Sequence, residues 1–198
     1  MTPPTNPLIP LGDGHTPLGD DDRQGLKLTY VTTRDELNEA EQENILRARQ
    51  GRRPPTVEAL LDDKYLRDLH RAMFGDVWTW AGQYRQLEMS LGIDPVQIAV
   101  RVRDLVSDTK IWIASEEPLI AAVRFHHRLV WIHPFSNGNG RHGRLAADYL
   151  IVALGQPPLT WGAFSGARNI EQVRQQYLIA LRAADRGDFG PLEEFVVT

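Results

Sequence analysis

Residues 130–150 read VWIHPFSNGNGRHGRLAADYL, and this stretch places a proline, three glycines and two arginines between two apolar runs. The apolar flanks are typical of buried helices, and Pro134 makes it costly for the first helix to continue beyond His133. Gly138 and Gly140 allow backbone conformations that other residues reach only with strain. The pattern therefore predicts two buried helices joined by a glycine-rich turn.

The predicted turn has the chemistry of an anion-binding site. If the second helix begins near Asn139 or Gly140, its unpaired N–H groups point into the turn and carry partial positive charge. Arg141 and Arg144 add formal charge three residues apart on the first helical turn. Backbone donors, a helix terminus and two arginines together are typical of a phosphate cradle. His133, at the other end of the turn, is suited to take a proton from a hydroxyl beside a bound phosphate.

Composition places the chain among ordinary soluble domains. The 198 residues are 42% hydrophobic and 24% charged, and the formal charge of −4 lacks the basic excess that is typical of nonspecific nucleic-acid binding. We therefore expect no direct nucleic-acid partner. The absence of cysteine excludes disulfides and thiolate zinc sites and is consistent with a cytoplasmic location. There is no signal-peptide pattern and no run of about 18 apolar residues, so we expect no membrane span.

Helical periodicity runs through most of the chain after an irregular start. Residues 1–25 are rich in proline, glycine and aspartate and are predicted to form an irregular arm, with a single domain over residues 26–198. Thr33 and Glu36 form a capping-box pattern ahead of the first helix. Further helices are predicted over residues 57–61, 64–75, 96–114, 119–131, 144–154, 169–185 and 191–197. We therefore expect an all-α domain.

Residues 76–95 interrupt the helical pattern. Aromatic residues lie near Gly82, and the segment RQLEMSL at residues 85–91 alternates between polar and apolar side chains. This alternation predicts a short extended segment or a β-hairpin inserted between helices.

The twelve residues HPFSNGNGRHGR at positions 133–144 resemble the Fic-domain signature, His-Pro-Phe-x-Asp/Glu-Gly-Asn-Gly-Arg-x-x-Arg. The segments MFGDVWTWAGQYR and QYLIALRAADRGDFGPLEEFV are also similar to Fic sequences, and the order of landmarks follows that family from about residue 35 to the end. The stretches TPLGDDDRQGL and TTRDELNEAEQENI resemble the subgroup called mobile mystery protein B. The resemblance implies an all-α Fic fold, a helical bundle with a small β-hairpin flap.

The resemblance also implies a role for each motif position. His133 would be the general base that acts on a Ser, Thr or Tyr hydroxyl of a target protein. Gly138, Asn139 and Gly140 would form the anion hole, and Phe135 would anchor the loop in the core. The residues that would contact the nucleotide outside that hole are Arg141 on a phosphate, Arg144 on the γ-phosphate of ATP and Tyr177 near the base. The implied reaction is transfer of AMP from ATP, used with Mg²⁺, to the target with release of pyrophosphate.

The flap that the resemblance implies would extend from Arg85 to about Pro95. It would bind the backbone of the target protein by strand addition, with Arg85, Leu87 and Met89 as the docking residues. The target itself, the preferred nucleotide and the oligomeric state are not indicated by the sequence.

One position departs from the family pattern, because Asn137 stands where the acidic metal ligand is expected. An amide oxygen can bind Mg²⁺ but brings no negative charge to it. A second departure concerns regulation, since an inhibitory Ser/Thr-x-x-x-Glu-Gly/Asn helix is incomplete at both Thr32–Glu36 and the segment ending at Glu43-Asn44. A separate antitoxin-like inhibitor is an equal alternative to an inhibitor within the chain.

Three readings of function follow. The first is a toxin-like protein adenylyltransferase with His133 as its base. The second keeps the fold but changes the reaction to phosphoryl transfer, transfer of UMP or GMP, or removal of AMP. The third is a nucleotide-binding interaction module that is catalytically weak because of Asn137. Two structural alternatives also remain: Arg144 could pair with Asp148, and Asn137 could act only as a turn former.

Overall fold

The computed structural model describes residues 25–31, 33–50, 54–163 and 170–198, so the arm predicted for residues 1–25 lies almost wholly outside the described residues. The described part is helical, in agreement with the expected all-α class. Its helices in chain order are α1 (Arg34–Arg49), α2 (Val57–Leu60), α3 (Asp63–Phe74), α4 (Ile98–Ser115), α5 (Pro118–Ile132), α6 (Asn139–Ala153), α7 (Ile170–Ala184) and α8 (Gly190–Val197), with a 3-10 turn at Pro95–Gln97 before α4.

Local sequence signals account for where several helices begin. Both halves of the predicted capping box are present at α1, where the Thr33 hydroxyl accepts from the Glu36 N–H and the Glu36 carboxylate accepts from the Thr33 N–H. Thr56 caps α2 and Asp62 caps α3 in the same way, each through its side-chain oxygen. These caps satisfy N–H groups that have no partner inside the helix. Helices α1 and α2 start where the sequence predicts, and α3 starts at Asp63, one residue before the predicted range.

The antiparallel pair α5 and α6 forms the centre of the molecule. Phe125, Leu129 and Ile132 on α5 are buried, as are Ala146 and Leu150 on α6. Helices α1, α2, α3 and α4 surround this pair in one hydrophobic cluster, while α7 and α8 close it with a second, smaller cluster. Burial of these apolar side chains is the main favourable term in folding, and it fixes the turn between α5 and α6 from both sides.

The predicted β-hairpin is not formed in the segment that follows α3. Residues 85–94, which we call the flap, contain no strand, and the described residues hold only one isolated antiparallel bridge, between Leu26 and Trp78. The reason lies in Arg85, whose side chain donates to the carbonyls of Leu87 and Ile93. The backbone N–H groups of Arg85 and Ile93 donate to the carbonyls of Pro134 and Ile132, so the two ends of the flap pair with the chain around His133 and not with each other. The flap is therefore a loop held by its own arginine.

None of the helices in the described ranges is both long enough and apolar enough to cross a membrane.

Candidate functional site

His133 lies at the junction between α5 and the motif loop. It follows the last residue of α5 and adopts a left-handed conformation, with φ 53° and ψ 61°, which is uncommon for a residue with a side chain. Its N–H donates to the carbonyl of Leu129, and its carbonyl accepts from Arg85 Nε at 2.7 Å. Strained backbone of this kind persists only where its surroundings hold it, and here a helix end and a buried arginine do so.

The environment of His133 keeps its imidazole neutral. The side chain is 8% exposed, and burial, with a further contribution from the Arg85 charge, lowers its pKa to about 4. The backbone carbonyl of Val130 acts in the opposite direction and raises the pKa by a smaller amount. A neutral imidazole has one ring nitrogen that is an acceptor, which is the state that a general base requires.

Gly138 turns the chain into α6 and must be a glycine. Its φ of +78° is left-handed, and a Cβ at this position would lie 2.4 Å from Phe74 Cζ. Helix α6 begins at Asn139, five residues before the predicted range of 144–154 and at one of the two starts that the anion-site argument requires, and no side chain caps it. The N–H groups of its first turn therefore face the loop as an anion site, with the positive end of the helix dipole behind them.

Asn139 has a structural role in this loop. Its side chain is 3% exposed, and it accepts from the Phe135 N–H at 2.9 Å and donates to the Phe135 carbonyl at 2.7 Å. Phe135 is fully buried, which confirms it as the anchor of the loop. Only the backbone N–H of Asn139 can therefore contribute to the anion hole, together with the backbone of Gly140.

The two motif arginines are held by different supports. Arg141 lies 5.0 Å from the centre of the Phe74 ring, and Arg144 lies 5.4 Å from the centre of the Tyr177 ring. Tyr177, which was expected near a nucleobase, is 7% exposed and its hydroxyl lies 2.9 Å from His126 Nε2. The structure thus places Tyr177 beneath Arg144 as a packing surface.

The alternative pairing of Arg144 with Asp148 is not formed. Asp148 accepts from Trp161 Nε1 at 2.8 Å, and the described residues hold no ion pair between its carboxylate and Arg144. Burial raises the pKa of Asp148 to about 6. Arg144 therefore keeps its charge available for a ligand.

Asn137 has both ends of its amide engaged. Its Oδ1 accepts from the Gly138 N–H at 2.7 Å, and its Nδ2 donates to Glu41 Oε1 at 3.1 Å. In the described ranges no three His, Cys, Asp or Glu side chains are grouped as they would be around a metal ion. The donor set at position 137 does not fit a resident magnesium ion, because its single oxygen is neutral and already accepts a hydrogen bond.

Sequence reasoning missed Glu41, whose carboxylate is the acidic group at this site. It lies on α1, is 1% exposed, and its Oε2 forms an ion pair with Arg141 NH2 at 2.6 Å. Its Oε1 also accepts from Trp78 Nε1 at 2.7 Å. The sequence signal was an acidic residue on the same face of α1 as the buried Leu37 and Ala48, where a charge is costly unless it is paired.

His70 is a second residue that sequence reasoning missed. It is fully buried on α3, stacks on Phe135 at 3.7 Å, and accepts from the Gly82 N–H through Nδ1. Its Nε2 therefore carries the proton and donates to the Asn137 carbonyl at 3.0 Å. Burial lowers the pKa of His70 well below its usual range, so it holds the loop as a neutral imidazole.

The three predicted docking residues of the flap differ in exposure. Arg85 is 4% exposed and binds backbone carbonyls, so its side chain is not a docking surface. Leu87 is 55% exposed and Met89 is partly exposed. Gly92, at the far end of the flap, packs so closely that a Cβ would lie 2.5 Å from His133 Cβ. The flap is thereby anchored directly against the candidate base.

Comparison with known proteins agrees with this geometry. Residues 60–151 match the model of the Fic/DOC family. The chain is 31% identical over 141 residues to the protein adenylyltransferase Fic of Culex quinquefasciatus, a match that covers 67% of this chain and 26% of that protein. It is 27% identical over 149 residues to the protein adenylyltransferase fic-1 of Caenorhabditis elegans, covering 70% of this chain and 27% of that protein. The chain therefore spans about a quarter of the length of these curated relatives.

Solved structures show the same fold. A fragment of Fic-1 from C. elegans superposes with a TM-score of 0.63 and 22% identity, covering 86% of this chain and 49% of that one. The BepC protein of Bartonella tribocorum, a VirB-translocated effector with bound AMPPNP, superposes with a TM-score of 0.65 and 18% identity, covering 87% and 90% of the two chains. With the family match over the motif loop and this shared arrangement of helices, the chain belongs to the Fic/DOC family.

Proposed function

We propose that this chain is a protein adenylyltransferase, which transfers AMP from ATP to a Ser, Thr or Tyr hydroxyl of a target protein. The observation that carries the proposal is a single loop with a neutral, buried His133 at one end and an uncapped helix N-terminus with Arg141 and Arg144 at the other. The names of the curated relatives support this activity, and the ATP analogue in the BepC structure supports a nucleotide as the ligand.

The proposed reaction uses the residues of this loop directly. His133 accepts the proton of the target hydroxyl, and the oxygen attacks the α-phosphorus of ATP. The bond from that phosphorus to the oxygen of the β-phosphate breaks, and pyrophosphate leaves. The first-turn N–H groups of α6 stabilise charge on the phosphate oxygens, and Arg141 and Arg144 bind the phosphates through charge-assisted hydrogen bonds. Magnesium enters as part of the substrate MgATP.

Intact-mass measurement of the protein, alone and with a cell lysate, tests the proposal after incubation with MgATP. Addition of AMP to the protein itself or to a lysate protein, lost in His133→Ala, is the expected result. Arg101→Ala, an exposed substitution on α4, is the matched control and should leave labelling unchanged. A chain that binds ATP but adds no nucleotide to any protein contradicts the proposal.

The alternative of a nucleotide-binding module has one specific observation in its favour, the neutral and fully engaged amide of Asn137. Such a module would bind nucleotide and form no labelled product with ATP, UTP or GTP. The enzymatic alternative is transfer from a nucleotide other than ATP. The same mass measurement distinguishes it from AMP transfer, because UMP and GMP add different masses from AMP. If labelling is found, a toxin-like effect predicts that expression of this chain slows the growth of cells. An antitoxin-like inhibitor predicts that growth recovers when the inhibitor is co-expressed with the chain.

A further inference from the structure

Glu41 forms a contact that joins the N-terminal helix to the motif loop. Its side chain is 1% exposed, and its two oxygens accept from three donors that come from different parts of the chain. Oε1 accepts from Trp78 Nε1 and from Asn137 Nδ2, and Oε2 accepts from Arg141 NH2. A buried carboxylate is costly unless it is fully bonded, and this one is.

The contact with Glu41 orients Arg141. The guanidinium is held on one side by the carboxylate at 2.6 Å and on its face by the Phe74 ring at 5.0 Å. Two restraints in different directions fix a planar group, and the remaining N–H donors stay available to a phosphate. Arg144 has no such carboxylate partner among the described residues. The carboxylate therefore supports the first arginine of the motif from behind.

The contact with Glu41 also decides which residue can stand at position 137. Asn137 Nδ2 lies 3.1 Å from Glu41 Oε1, and Asn137 Oδ1 is fixed by the Gly138 N–H. With aspartate at position 137, a carboxylate oxygen would replace that N–H donor and face the Glu41 oxygen at the same distance. Two carboxylates this close repel each other strongly where one of them, Glu41, is buried and the other is partly buried. An amide removes the repulsion and forms a hydrogen bond.

We propose that Glu41 is a positioning residue of the phosphate cradle, which orients Arg141 and requires an amide at position 137. The inference rests on the proposed function only for the claim that Arg141 binds phosphate. It explains why this chain has Asn137 where the motif has an acidic residue. The carboxylate of the site is carried on α1 behind Arg141 instead of on the loop.

The opposite role for Glu41 would be a brake, in which the carboxylate occupies Arg141 in place of a phosphate. A brake must be released, and release here would leave the Trp78 indole N–H and the Asn137 amide without their acceptor. Leaving the buried Trp78 donor unsatisfied costs roughly 1–3 kcal/mol, and the partly buried Asn137 amide adds a smaller cost. The structure therefore favours a permanent support.

The first test is a double-mutant cycle on stability, with Glu41→Gln, Asn137→Asp and the double variant measured by denaturant unfolding. Asn137→Asp should raise the unfolding equilibrium constant about thirtyfold or more, because it sets two carboxylates against each other. Adding Glu41→Gln should recover at least about tenfold of that loss, since one charge is removed. Asn139→Asp, the same substitution at another buried amide of the loop, is the matched control, and Glu41→Gln should not relieve it.

The second test is nucleotide binding, with MgATP and AMP as the probes. In Glu41→Gln the amide oxygen can still accept from Trp78 and Asn137, but its NH2 group faces the Arg141 guanidinium, donor against donor. Affinity for MgATP should fall about fivefold or more, while affinity for AMP changes less than about twofold, because Arg141 is proposed to bind phosphate and AMP offers one phosphate where ATP offers three. A loss that is equal for both probes would reflect general damage and overturn the positioning role.

Two further outcomes would overturn the inference. Additive stability effects of Glu41→Gln and Asn137→Asp would show that position 137 does not depend on Glu41. Tighter MgATP binding or more AMP transfer in Glu41→Gln alone would make the ion pair a brake. The stability cycle needs no catalytic activity, so a chain that shows the coupling but transfers no AMP would contradict only the proposed function.

Discussion

Gly138 and His133 in the motif loop each combine a left-handed backbone with close packing by neighbouring residues. Gly138 needs both a left-handed backbone and the absence of a Cβ, because Phe74 occupies the space. His133 has a left-handed backbone although it is not a glycine, and the hydrogen bond from Arg85 to its carbonyl stabilises that conformation. Its pKa is lowered by burial, so the loop places an uncharged base beside cationic groups.

Replacing Gly138 with alanine tests the close approach of the Phe74 ring to this position. Gly138→Ala should cost more than about 3 kcal/mol, because it adds a steric clash with Phe74 to the backbone strain. Gly155→Ala is the matched control, since Gly155 has a similar φ of +81° but nothing within 4 Å of a Cβ. It should cost only about 1–2 kcal/mol, the strain of a left-handed backbone alone. Equal losses of free energy of unfolding in the two variants would show that Phe74 does not restrict this position.

The low pKa of His133 predicts the pH dependence of catalysis. In the proposed reaction the neutral imidazole is the base, and the pKa of His133 in the ligand-free protein is lowered to about 4. Activity limited by this group is therefore retained as pH falls through 6.5 and is lost only towards pH 4. The measurement is kcat/KM between pH 5 and 8, which reports the free enzyme. A fall in kcat/KM centred near pH 6.5 would contradict the lowered pKa.

At the scale of elements, the flap takes its shape from one buried side chain. Arg85 binds the carbonyls of His133, Leu87 and Ile93, and its own N–H donates to the Pro134 carbonyl. The flap is thus tied at both of its ends to the loop that carries the candidate base. The capping box of α1 acts at the same scale, because it starts the helix that carries Glu41.

Replacing Arg85 with lysine should open the flap. A lysine keeps the charge but loses the fork that reaches three carbonyls at once. Backbone amides of residues 86–92 should exchange with solvent at least about tenfold faster in Arg85→Lys, as measured by hydrogen–deuterium exchange. Arg101→Lys, an exposed arginine paired with Asp104 on α4, is the control and should leave these amides unchanged. Unchanged exchange in Arg85→Lys would mean that the flap is held by other contacts.

At the scale of the whole molecule, buried histidines link α3, α5 and α6. His70, His126 and His142 are fully buried and His133 nearly so. Burial lowers the pKa of each, to about 3 for His126 and about 4 for His133 and His142. The core thus contains several neutral imidazoles that act as hydrogen-bonding groups.

These histidines predict a loss of stability in mild acid. The unfolded chain binds protons below its histidine pKa of about 6.5 while the folded chain does not, so stability is full above that pH and falls below it. At pH 5 each such histidine costs on the order of 2 kcal/mol. Asp148, with its pKa raised to about 6, acts in the opposite direction and offsets part of this loss.

The measurement is the free energy of unfolding from pH 8 to pH 5. His142→Gln should make this dependence shallower even if the variant is less stable at pH 8, because one titrating group is removed. Stability that does not change between pH 7.5 and pH 5 would show that the buried histidines are protonated in the folded state.

The sequence by itself determined the features that depend on neighbouring residues. It predicted the helices, the caps at Thr33 and Thr56 and the end of α5 before Pro134. These depend on hydrophobic periodicity and on hydrogen bonds between residues a few positions apart, which can be read locally. The motif likewise indicated the phosphate cradle, since its donors lie within twelve residues.

Only the tertiary structure decided which distant groups meet at the site. Glu41 and Arg141 are 100 residues apart, and His70 reaches Asn137 across 67 residues. Arg85 binds the flap's own carbonyls, and the N–H groups of Arg85 and Ile93 donate to Pro134 and Ile132 outside the flap, so the predicted hairpin is a loop. A buried polar side chain must find a partner, but which partner depends on how the helices pack, and that is a property of the whole chain.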